Sequence, residues 1–571
     1  MINQDIIKVL KTTAALMELH EENPFKVRSY NAAVYNLERL EASLADMDFK
    51  ALEGLSGVGK SIAAAIDEIN KTGGFNLLST LRERTPDGII SLLDVKGLGP
   101  KKIRPAWQEL GITSINEMLQ AAREGRLASL NGFGIKTQAK VEQVILYYQE
   151  NLSRVHYKEA EVLQDQLKTE LKHSFSKFRF SATGSLRRKL EIIEVAEFLI
   201  GTDDPGSVIS FLDQSSWMEK ELTGSGPLIW RGKLKDRALR VVLRICYNAD
   251  FDKQLFLHTG AAQHLQTAVV DNKSLLQLLE DQSVDSEVAA YELAGLPYIE
   301  PELREGSFEF ALAEKNRLPK LVAWEDFAGI LHNHSTYSDG KNSLADMAGA
   351  CQALGYQYFG ISDHSQTAVY ANGLDEDRII EQHREIDRLN EEMAPFRIFK
   401  GIESDILNDG ALDYEEKVLK SFDFVVASIH FNLNMDRDQA TKRLINAIKN
   451  PFTTILGHPT GRQLLRREGY PIDHQAVIDA CASNGVIIEI NANPWRLDLD
   501  WRWVHYAIEK KVMLSVNPDA HSKSALKDMY YGWCTGRKGG LTKENTFNCL
   551  SLTELEQYFS SRKKKALSVL A

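Results

Sequence analysis

The sequence is poor in cysteine and has no long apolar segment. Its 571 residues include only 5 cysteines, which stand far apart without a Cys-x-x-Cys pair. Neither a disulfide framework nor a cysteine zinc site is therefore indicated, and we expect buried thiols. No apolar run approaches the roughly 18 to 20 residues that a membrane span needs. We therefore expect a cytoplasmic protein without membrane attachment.

The chain also lacks an excess of basic charge. Its 68 Lys and Arg residues face 79 Asp and Glu residues, a net charge of −11, which excludes a chain coated in basic residues for bulk nucleic-acid binding. Residues 1–150 are nearly balanced, with 18 basic and 19 acidic residues, so local basic patches stay compatible with the composition. A content of 43% hydrophobic and 26% charged residues is typical of globular protein. At about 150 residues per domain, the length predicts roughly four domains.

Residues 1–150 have the apolar spacing of helices, interrupted three times by a Gly-x-Gly turn. In each copy the glycines permit positive φ, the next helix presents unpaired backbone N–H groups, and a lysine follows. A single such turn is more often a plain connection between packed helices, but three copies favour sequence-independent phosphate binding. The candidate DNA-binding residues are Gly57, Gly59, Lys60, Gly97, Gly99, Lys101, Lys102, Gly132, Gly134 and Lys136.

These turns, together with residues 23–30, resemble the helix-hairpin-helix domains of family X DNA polymerases. The resemblance implies a lyase-like domain over residues 1–80 and a fingers-like domain over residues 81–150. Such domains bind gapped, nicked or primer–template DNA without reading its sequence. Lyase-active members carry a Schiff-base lysine after the first turn, where this sequence has Ala65, so imine chemistry at that position is excluded.

Residues 151–315 have a mixed α/β texture and resemble the nucleotidyltransferase palm and thumb of the same polymerases. The resemblance implies that Gly184, Ser185 and Arg188 hold a nucleotide. It also places the three metal-binding carboxylates of the family at Val195, Glu197 and Val242. One glutamate among valines is insufficient for two divalent ions. We therefore expect doubtful Mg²⁺ binding, weak nucleotide binding, and polymerase activity that is weak or lost.

In the last 250 residues or so, short apolar runs alternate with helical patterns, which predicts a (β/α) barrel. The strand candidates are 358–362, 424–429, 454–456, 485–490 and 512–516. Histidines and acidic residues stand at the ends of several runs, and imidazole with carboxylate suits Zn²⁺, Mn²⁺ or Fe²⁺. A lone histidine is more often structural, but nine candidates, most of them at strand ends, reverse that prior. The nine are His332, His334, Asp339, His364, Glu403, His430, His458, Asp519 and His521.

Residues 331–522 resemble the PHP (polymerase and histidinol phosphatase) family, and the nine positions match all nine of its metal ligands. The resemblance implies a distorted (β/α)7 barrel over residues 328–571 that holds two to three divalent metals and hydrolyses phosphoesters. It assigns one metal to His332, His334, Glu403 and Asp519, a second to Glu403, His430 and His458, and a third to Asp339, His364 and His521. The four ligands of the first metal and Arg462 are then catalytic candidates. Arg462 and Arg496 are candidate phosphate clamps, with a structural role as the alternative for both.

The order of the three regions resembles the bacterial PolX family, a multidomain α and α/β architecture. The resemblance implies a DNA-repair 3′–5′ exonuclease or 3′-end processing enzyme with a degenerate polymerase half. An active gap-filling polymerase stays open if the alignment of Val195 and Val242 is wrong. A PHP phosphatase of a small metabolite and a non-enzymatic DNA scaffold are further alternatives. The three turns speak against the phosphatase, and the complete ligand set speaks against the scaffold.

Overall fold

The computed structural model describes residues 3–38, 40 and 42–570. The chain forms two compact units, Met1–Leu152 and Ser153–Ala571. Among the described residues, no helix combines the length and apolarity needed to cross a membrane. All five cysteines are free, and only Cys549 is partly exposed.

The first unit is built of helices around one apolar core. Leu10, Tyr30 and Ile66 are almost fully buried in that core, since each lies on the apolar face of its helix. Its α-helices are α1 Asn3–Leu19, α2 Pro24–Leu37, α3 Phe49–Glu53, α4 Lys60–Thr72, α5 Asn76–Glu83, α6 Asp87–Leu92, α7 Pro100–Leu110, α8 Ile115–Arg123 and α9 Ile135–Asn151.

Helices α4, α7 and α9 follow the three glycine turns, which share one backbone geometry. Gly57, Gly97 and Gly132 have φ angles of 74°, 95° and 82°, a region that favours glycine. The apolar residue between each pair of glycines is buried, and its N–H donates to the carbonyl three residues earlier at 3.0 Å in all three copies. The second glycine of each pair is the N-cap of the following helix. The repeat seen in the sequence is thus a structural repeat.

The second unit begins with a mixed sheet of five strands in the order β2-β4-β7-β6-β5, in which only β4 and β7 pair in parallel. A smaller helical subregion with its own core follows the sheet. The strands and helices are β1 Val155–His156, α10 Tyr157–Ser174, β2 Arg179–Ala182, α11 Gly184–Arg187, β3 Ile192–Ile193, β4 Val195–Gly201, α12 Pro205–Asp213, β5 Met218–Lys220, β6 Ile229–Leu234, β7 Arg240–Cys246, α13 Phe251–Thr259, α14 Ala262–Gln266, β8 Ala268–Val270, β9 Lys273–Ser274, α15 Leu275–Leu278, α16 Glu287–Glu292 and α17 Glu309–Ala313.

The remainder of this unit is a barrel of seven parallel strands, β10 to β16 in sequence order. A parallel bridge between Asn333 and Ala520 joins the segments that follow the first and last strands, which nearly closes the barrel. The predicted (β/α)7 architecture is confirmed. Its elements are β10 Gly329–Ile330, α18 Leu344–Ala353, β11 Tyr358–Ile361, α19 Glu376–Glu392, β12 Arg397–Asp405, α20 Glu416–Leu419, β13 Phe424–Ser428, α21 Arg437–Ile448, β14 Ile455–Leu456, α22 His474–Asn484, β15 Ile487–Asn491, α23 Trp501–Glu509, β16 Leu514–Asn517, α24 Met529–Lys538 and α25 Leu552–Leu570.

Helix α24 of the barrel packs against the mixed α/β region and ends in a buried lysine. Nζ of Lys538 donates to the carbonyl oxygen of Arg188 at 3.1 Å and to that of Glu302 at 3.3 Å, and it also pairs with Glu305. Burial lowers the pKa of Lys538 to about 8, against the opposing effect of Glu305. These contacts fix the barrel to the preceding region within one compact unit.

Candidate functional site

The nine predicted ligands lie together at the carboxyl ends of the barrel strands. Glu403 is the centre of the cluster and is buried on β12. Its Oε1 lies 3.2 Å from Nε2 of His332, 3.2 Å from Nε2 of His430 and 3.0 Å from Nε2 of His458. Its Oε2 lies 3.0 Å from Nδ1 of His364. One carboxylate thus reaches histidines that follow four different strands.

Two aspartates complete the cluster on the side of the last strand. Oδ1 of Asp519 lies 3.1 Å from Nε2 of His334 and 3.7 Å from Nε2 of His332. Oδ1 of Asp339 lies 3.2 Å from Nε2 of His521. Each aspartate therefore has a carboxylate oxygen beside at least one imidazole nitrogen of the cluster.

Four groups of these side chains have ligand atoms within 4.8 Å of one another. Two groups overlap with the first and third predicted metal sets, except that the first lacks Glu403 and the other also contains His334. His430 and His458 fall in separate groups, each with Glu403, although their ring centroids are only 5.2 Å apart. The groups are His332, His334 and Asp519; His334, Asp339, His364 and His521; His332, Glu403 and His458; and His364, Glu403 and His430.

Several atoms of the cluster are buried and, although they lie close to other members of the cluster, have no partner in hydrogen-bond geometry. They include both ring nitrogens of His334, Nε2 of His332, Nδ1 of His364 and Oε2 of Glu403. A buried polar atom without a partner is costly, and so many converging on one place is unusual. Imidazole and carboxylate are ligands for Zn²⁺, Mn²⁺ and Fe²⁺. The donor set therefore fits divalent transition metals.

The charges of the cluster are strongly coupled. Burial opposes protonation of His430, but Glu403 and Asp405 outweigh it and raise the pKa of His430 to about 10. In the same way Asp339 and Asp519 overcome burial and raise the pKa of His521 to about 9. Burial and the neighbouring His521 lower the pKa of His334 to about 3. The carboxylates thus favour positive charge on the neighbouring imidazoles, a charge that a bound cation would supply instead.

A second set of acidic residues, not predicted from the sequence, orients the ligands. Glu489 of β15 is fully buried and accepts a hydrogen bond from Nδ1 of His332 at 2.6 Å. Asp405 accepts one from Nδ1 of His430 at 2.7 Å. Such contacts fix the ring so that its other nitrogen faces the centre. The available sequence signal was a carboxylate within an otherwise apolar strand.

Three of the ligands have left-handed backbone conformations. The φ angles of His332, His458 and Asp519 are 62°, 22° and 50°, where residues with a Cβ are strained. Strain of this kind concentrates at functional sites, since the surrounding fold has to hold it in place. Each of these residues follows the end of a strand, and its left-handed backbone conformation directs the side chain into the mouth of the barrel.

Arg462 has a different environment from the predicted phosphate clamp. Its Nε donates to the carbonyl of Arg496 at 2.8 Å, and its two Nη groups contact the carbonyl of Leu497 and the carboxylate of Asp500. Each nitrogen of this guanidinium makes one protein contact, and together the contacts hold the loop after β15 in place. This environment favours the structural alternative for Arg462. Arg496 lies beside the cluster of predicted metal ligands, with its Nε 3.7 Å from Oδ2 of Asp519.

In the mixed α/β sheet, the predicted polymerase positions share one face. Glu197 of β4 pairs with Val242 of β7 in parallel register, so their side chains are neighbours, and Val195 lies two residues before Glu197. Nη1 of Arg244 lies 2.8 Å from Oε1 of Glu197. The one carboxylate at these positions is thus already paired with a cation. Among the described residues, every group of three or more potential metal ligands lies in the barrel.

Arg188, a predicted nucleotide-binding residue, is paired with other protein groups. Its Nε donates to Oε1 of Glu305 at 2.8 Å, and its Nη1 donates to the carbonyl of Thr259 at 2.7 Å. Gly184 is buried against the Glu197 carboxylate, and a Cβ on it would lie 2.0 Å from Oε2. Ser185 is partly exposed at the start of α11. Nucleotide binding by Gly184, Ser185 and Arg188 thus stays a prediction, and it would require Arg188 to exchange at least part of these protein contacts for a phosphate.

The lysines after the glycine turns are placed unequally. Lys60, Lys101 and Lys136 are exposed at the first turn of their helices, beside N–H groups that lack intrahelical partners. Lys102 differs, because its Nζ donates to the carbonyl of Gly97 at 2.9 Å and so closes its own turn. Ala65 is buried in the core.

Comparison with known proteins covers both units. The helix-hairpin-helix domain family matches residues 1–75, the SAM-like helix-hairpin-helix tandem family matches residues 89–143, and the PHP domain family matches residues 331–493. A probable phosphatase of Caldanaerobacter subterraneus subsp. tengcongensis is 42% identical over 105 residues, which are 18% of this chain and 39% of that protein. A probable phosphatase of Thermoanaerobacter sp. (strain X514) is 32% identical over 187 residues, 31% of this chain and 74% of that protein.

A full-length similarity accompanies these local ones. The DNA polymerase/3′-5′ exonuclease PolX of Bacillus subtilis (strain 168) is 36% identical over 579 residues, which span 98% of this chain and 99% of that protein. The match thus includes the turns, the mixed sheet and the barrel in one order. The chain therefore belongs to the PolX family of DNA polymerase/exonuclease enzymes with a PHP domain.

Proposed function

We propose that this protein is a DNA-binding, metal-dependent phosphodiesterase that removes or processes nucleotides at DNA 3′ ends. The observation that carries the proposal is the convergence of nine imidazole and carboxylate side chains with partnerless buried atoms at the barrel mouth. A scaffold without catalysis has no reason to maintain so many unsatisfied groups in one place. The name of the Bacillus subtilis relative supports the choice of a 3′–5′ exonuclease.

The nine ligands would hold two to three Zn²⁺, Mn²⁺ or Fe²⁺ ions, which supply Lewis-acid polarisation of a phosphoryl group and a more acidic water. Glu489 and Asp405 hold His332 and His430 in the required orientation. Arg496, beside Asp519, is placed to receive a phosphate oxygen. Catalysis rests on His332, His334, Glu403 and Asp519, whose contacts join the different groups.

The first unit supplies DNA binding in this proposal. Its three turns present exposed lysines at helix N-termini, a combination that neutralises backbone phosphates without contacting base edges. The matched helix-hairpin-helix families and the relative's name support DNA as the partner. We assign the lyase-like and fingers-like domains to residues 1–80 and 81–150, the palm and thumb to 151–315, and the PHP domain to 328–571.

Polymerase activity is weak or absent in this proposal. Two Mg²⁺ ions and a triphosphate need carboxylates at positions where the chain has Val195 and Val242, and Arg244 neutralises Glu197. Loss of such a charge cluster costs on the order of a thousandfold in rate or more. An active gap-filling polymerase is the second candidate, and the name of the Bacillus subtilis relative favours it.

A phosphatase of a small metabolite is the third candidate, favoured by the probable phosphatases that match parts of the barrel. Such an enzyme has no use for three phosphate-binding turns. The two candidate functions differ in substrate. A phosphatase acts on monoesters, whereas an exonuclease cleaves the phosphodiester that joins the terminal nucleotide to the rest of the strand.

A single set of assays separates the candidates. Metal-loaded protein is incubated with labelled primer–template DNA, with and without nucleotides, and with a small phosphomonoester. We expect 3′-terminal shortening with Mn²⁺ or Zn²⁺, its loss in the double variant His332→Ala/His334→Ala, and no primer extension. His173→Ala is the matched control, since His173 is an exposed histidine on α10. Primer extension that survives the double variant would establish the polymerase instead, and hydrolysis of the monoester alone would establish the phosphatase.

A further inference from the structure

The loop between β11 and α19 exposes an aromatic ring beside the metal-ligand cluster. His364 begins this loop, and Tyr370 follows six residues later with 65% of its surface exposed. The alanines at 368 and 371 are buried at 0% and 1%. The loop therefore packs its small side chains inward and leaves a large ring in solvent, the reverse of ordinary burial preference.

The backbone that carries Tyr370 is held firmly. The N–H of Ser365 donates to the carbonyl of Glu403 at 3.0 Å, and the N–H of Leu374 donates to the carbonyl of His364 at 2.8 Å. Gly373 closes the loop so tightly that a Cβ on it would lie 1.8 Å from the Ser365 carbonyl oxygen. A ring on such a loop is pre-organised, so little conformational entropy is lost when a ligand packs on it.

The ring also lies close to the reacting centre. The centroids of the Tyr370 and His364 rings are 6.2 Å apart, with the planes tilted by 55°. Partial burial of the hydroxyl and the carboxylates of Glu403, Asp405 and Asp339 hold the pKa of Tyr370 above its usual value, against the opposing effect of Arg496. The hydroxyl group is thus subject to the same carboxylate charges as the predicted metal ligands, while much of the ring is open to solvent.

We propose that Tyr370 is a specificity-determining residue that stacks on the nucleobase of the nucleotide whose phosphodiester occupies the barrel mouth. The proposal rests on the function proposed above and names the substrate class of that site: phosphoesters that carry a base, in a single-stranded 3′ end. Aromatic rings stack on any base, so the contact adds affinity without sequence preference. Binding through phosphates alone gives no role to an exposed ring on a rigid loop.

The test compares two oligonucleotides that differ only in the terminal base. Both have the same sequence, and one ends in deoxyadenosine whereas the other ends in an abasic tetrahydrofuran analogue. Tyr370→Ala should lower kcat/KM on the base-bearing end by on the order of tenfold, chiefly through KM, and leave the abasic end unchanged. Tyr370→Phe should behave as the unmodified protein on both. Val369→Ala is the matched control, because Val369 is the exposed neighbour on the same loop.

A binding measurement adds a readout independent of turnover. A terminal 2-aminopurine behind a cleavage-resistant phosphorothioate linkage should lose fluorescence on binding to the Mn²⁺-loaded protein, and Tyr370→Ala should abolish that quenching while Tyr370→Phe preserves it. Equal losses on both oligonucleotides, or a Phe variant as impaired as the Ala variant, would overturn the stacking role. Failure of the unmodified protein to cleave either oligonucleotide would instead overturn the proposed function, and the role of Tyr370 with it.

Discussion

The substitution Glu489→Gln tests whether the acidic residue behind the ligands controls metal binding. Oε1 of Glu489 accepts hydrogen bonds from the His332 ring at 2.6 Å and from the Asn517 amide at 3.0 Å. Oε2 accepts them from the backbone N–H of His458 at 2.8 Å and from the Asn491 amide at 3.3 Å. Four donors therefore face a group with no hydrogens. Glutamine has the same shape but places an NH₂ group against two of those donors, whichever way its amide turns.

The expected cost follows from these contacts. A hydrogen bond to a charged group contributes about 1.5–3 kcal/mol, and loss of a residue that orients a metal ligand typically weakens metal affinity by about 10–100-fold. Because bound metal stabilises the folded state by RT ln(1 + [M]/Kd), a tenfold weaker Kd removes about 1.4 kcal/mol of that stabilisation at saturating metal. Glu489→Gln should thus lower both metal affinity and the metal-dependent rise in Tm.

The assay is competition with a chelator of known affinity, followed by metal analysis of the dialysed protein and by thermal unfolding with and without Mn²⁺. Glu468→Gln is the matched control, since Glu468 is exposed on a barrel loop. The reasoning is refuted if the folded Glu489→Gln protein binds metal within twofold of the unmodified protein, because the buried carboxylate would then have no influence on His332.

Three further predictions concern the other regions. Alanine in place of the exposed turn lysines Lys60, Lys101 and Lys136 should make the plot of log DNA affinity against log salt less steep by about 2 to 3, at about 0.9 per lost phosphate contact. An unchanged slope in a filter-binding titration would mean that the turns are only structural. Arg462→Ala should lower the unfolding midpoint, since it breaks a largely buried ion pair with Asp500. The cost should stay below the about 3–5 kcal/mol of a fully uncompensated buried charge, because Arg502 still lies 3.0 Å from Asp500. An unchanged midpoint with lost activity would support a phosphate-binding role instead. The unmodified protein should extend no primer. Gain of primer extension should need the carboxylates of Val195→Asp, Glu197→Asp and Val242→Asp together with Arg244→Ala. Extension by the first three changes alone would show that the Arg244 contact does not block the site.

Some predicted elements match the structure closely because their pattern is local. The barrel strands predicted at 358–362 and 424–429 are β11 and β13, each with one residue fewer. Strand β12 was not predicted, although it is the longest of the barrel at 9 residues. Charged side chains at Lys400, Glu403 and Asp405 interrupt its apolar pattern, and two of these serve the site.

The sequence by itself determined which histidines and acids occur at strand ends, where glycines allow a turn, and that positions 195 and 242 of the mixed sheet are valines. These properties depend on residue type and short spacing, which the chain carries locally. Only the tertiary structure decided which groups meet. His332 and Glu489 are 157 residues apart, and Arg462, Arg244 and Tyr370 received their partners from strands and loops that the sheets bring together. Strand pairing in the barrel and in the mixed sheet sets those distances, and no local pattern contains them.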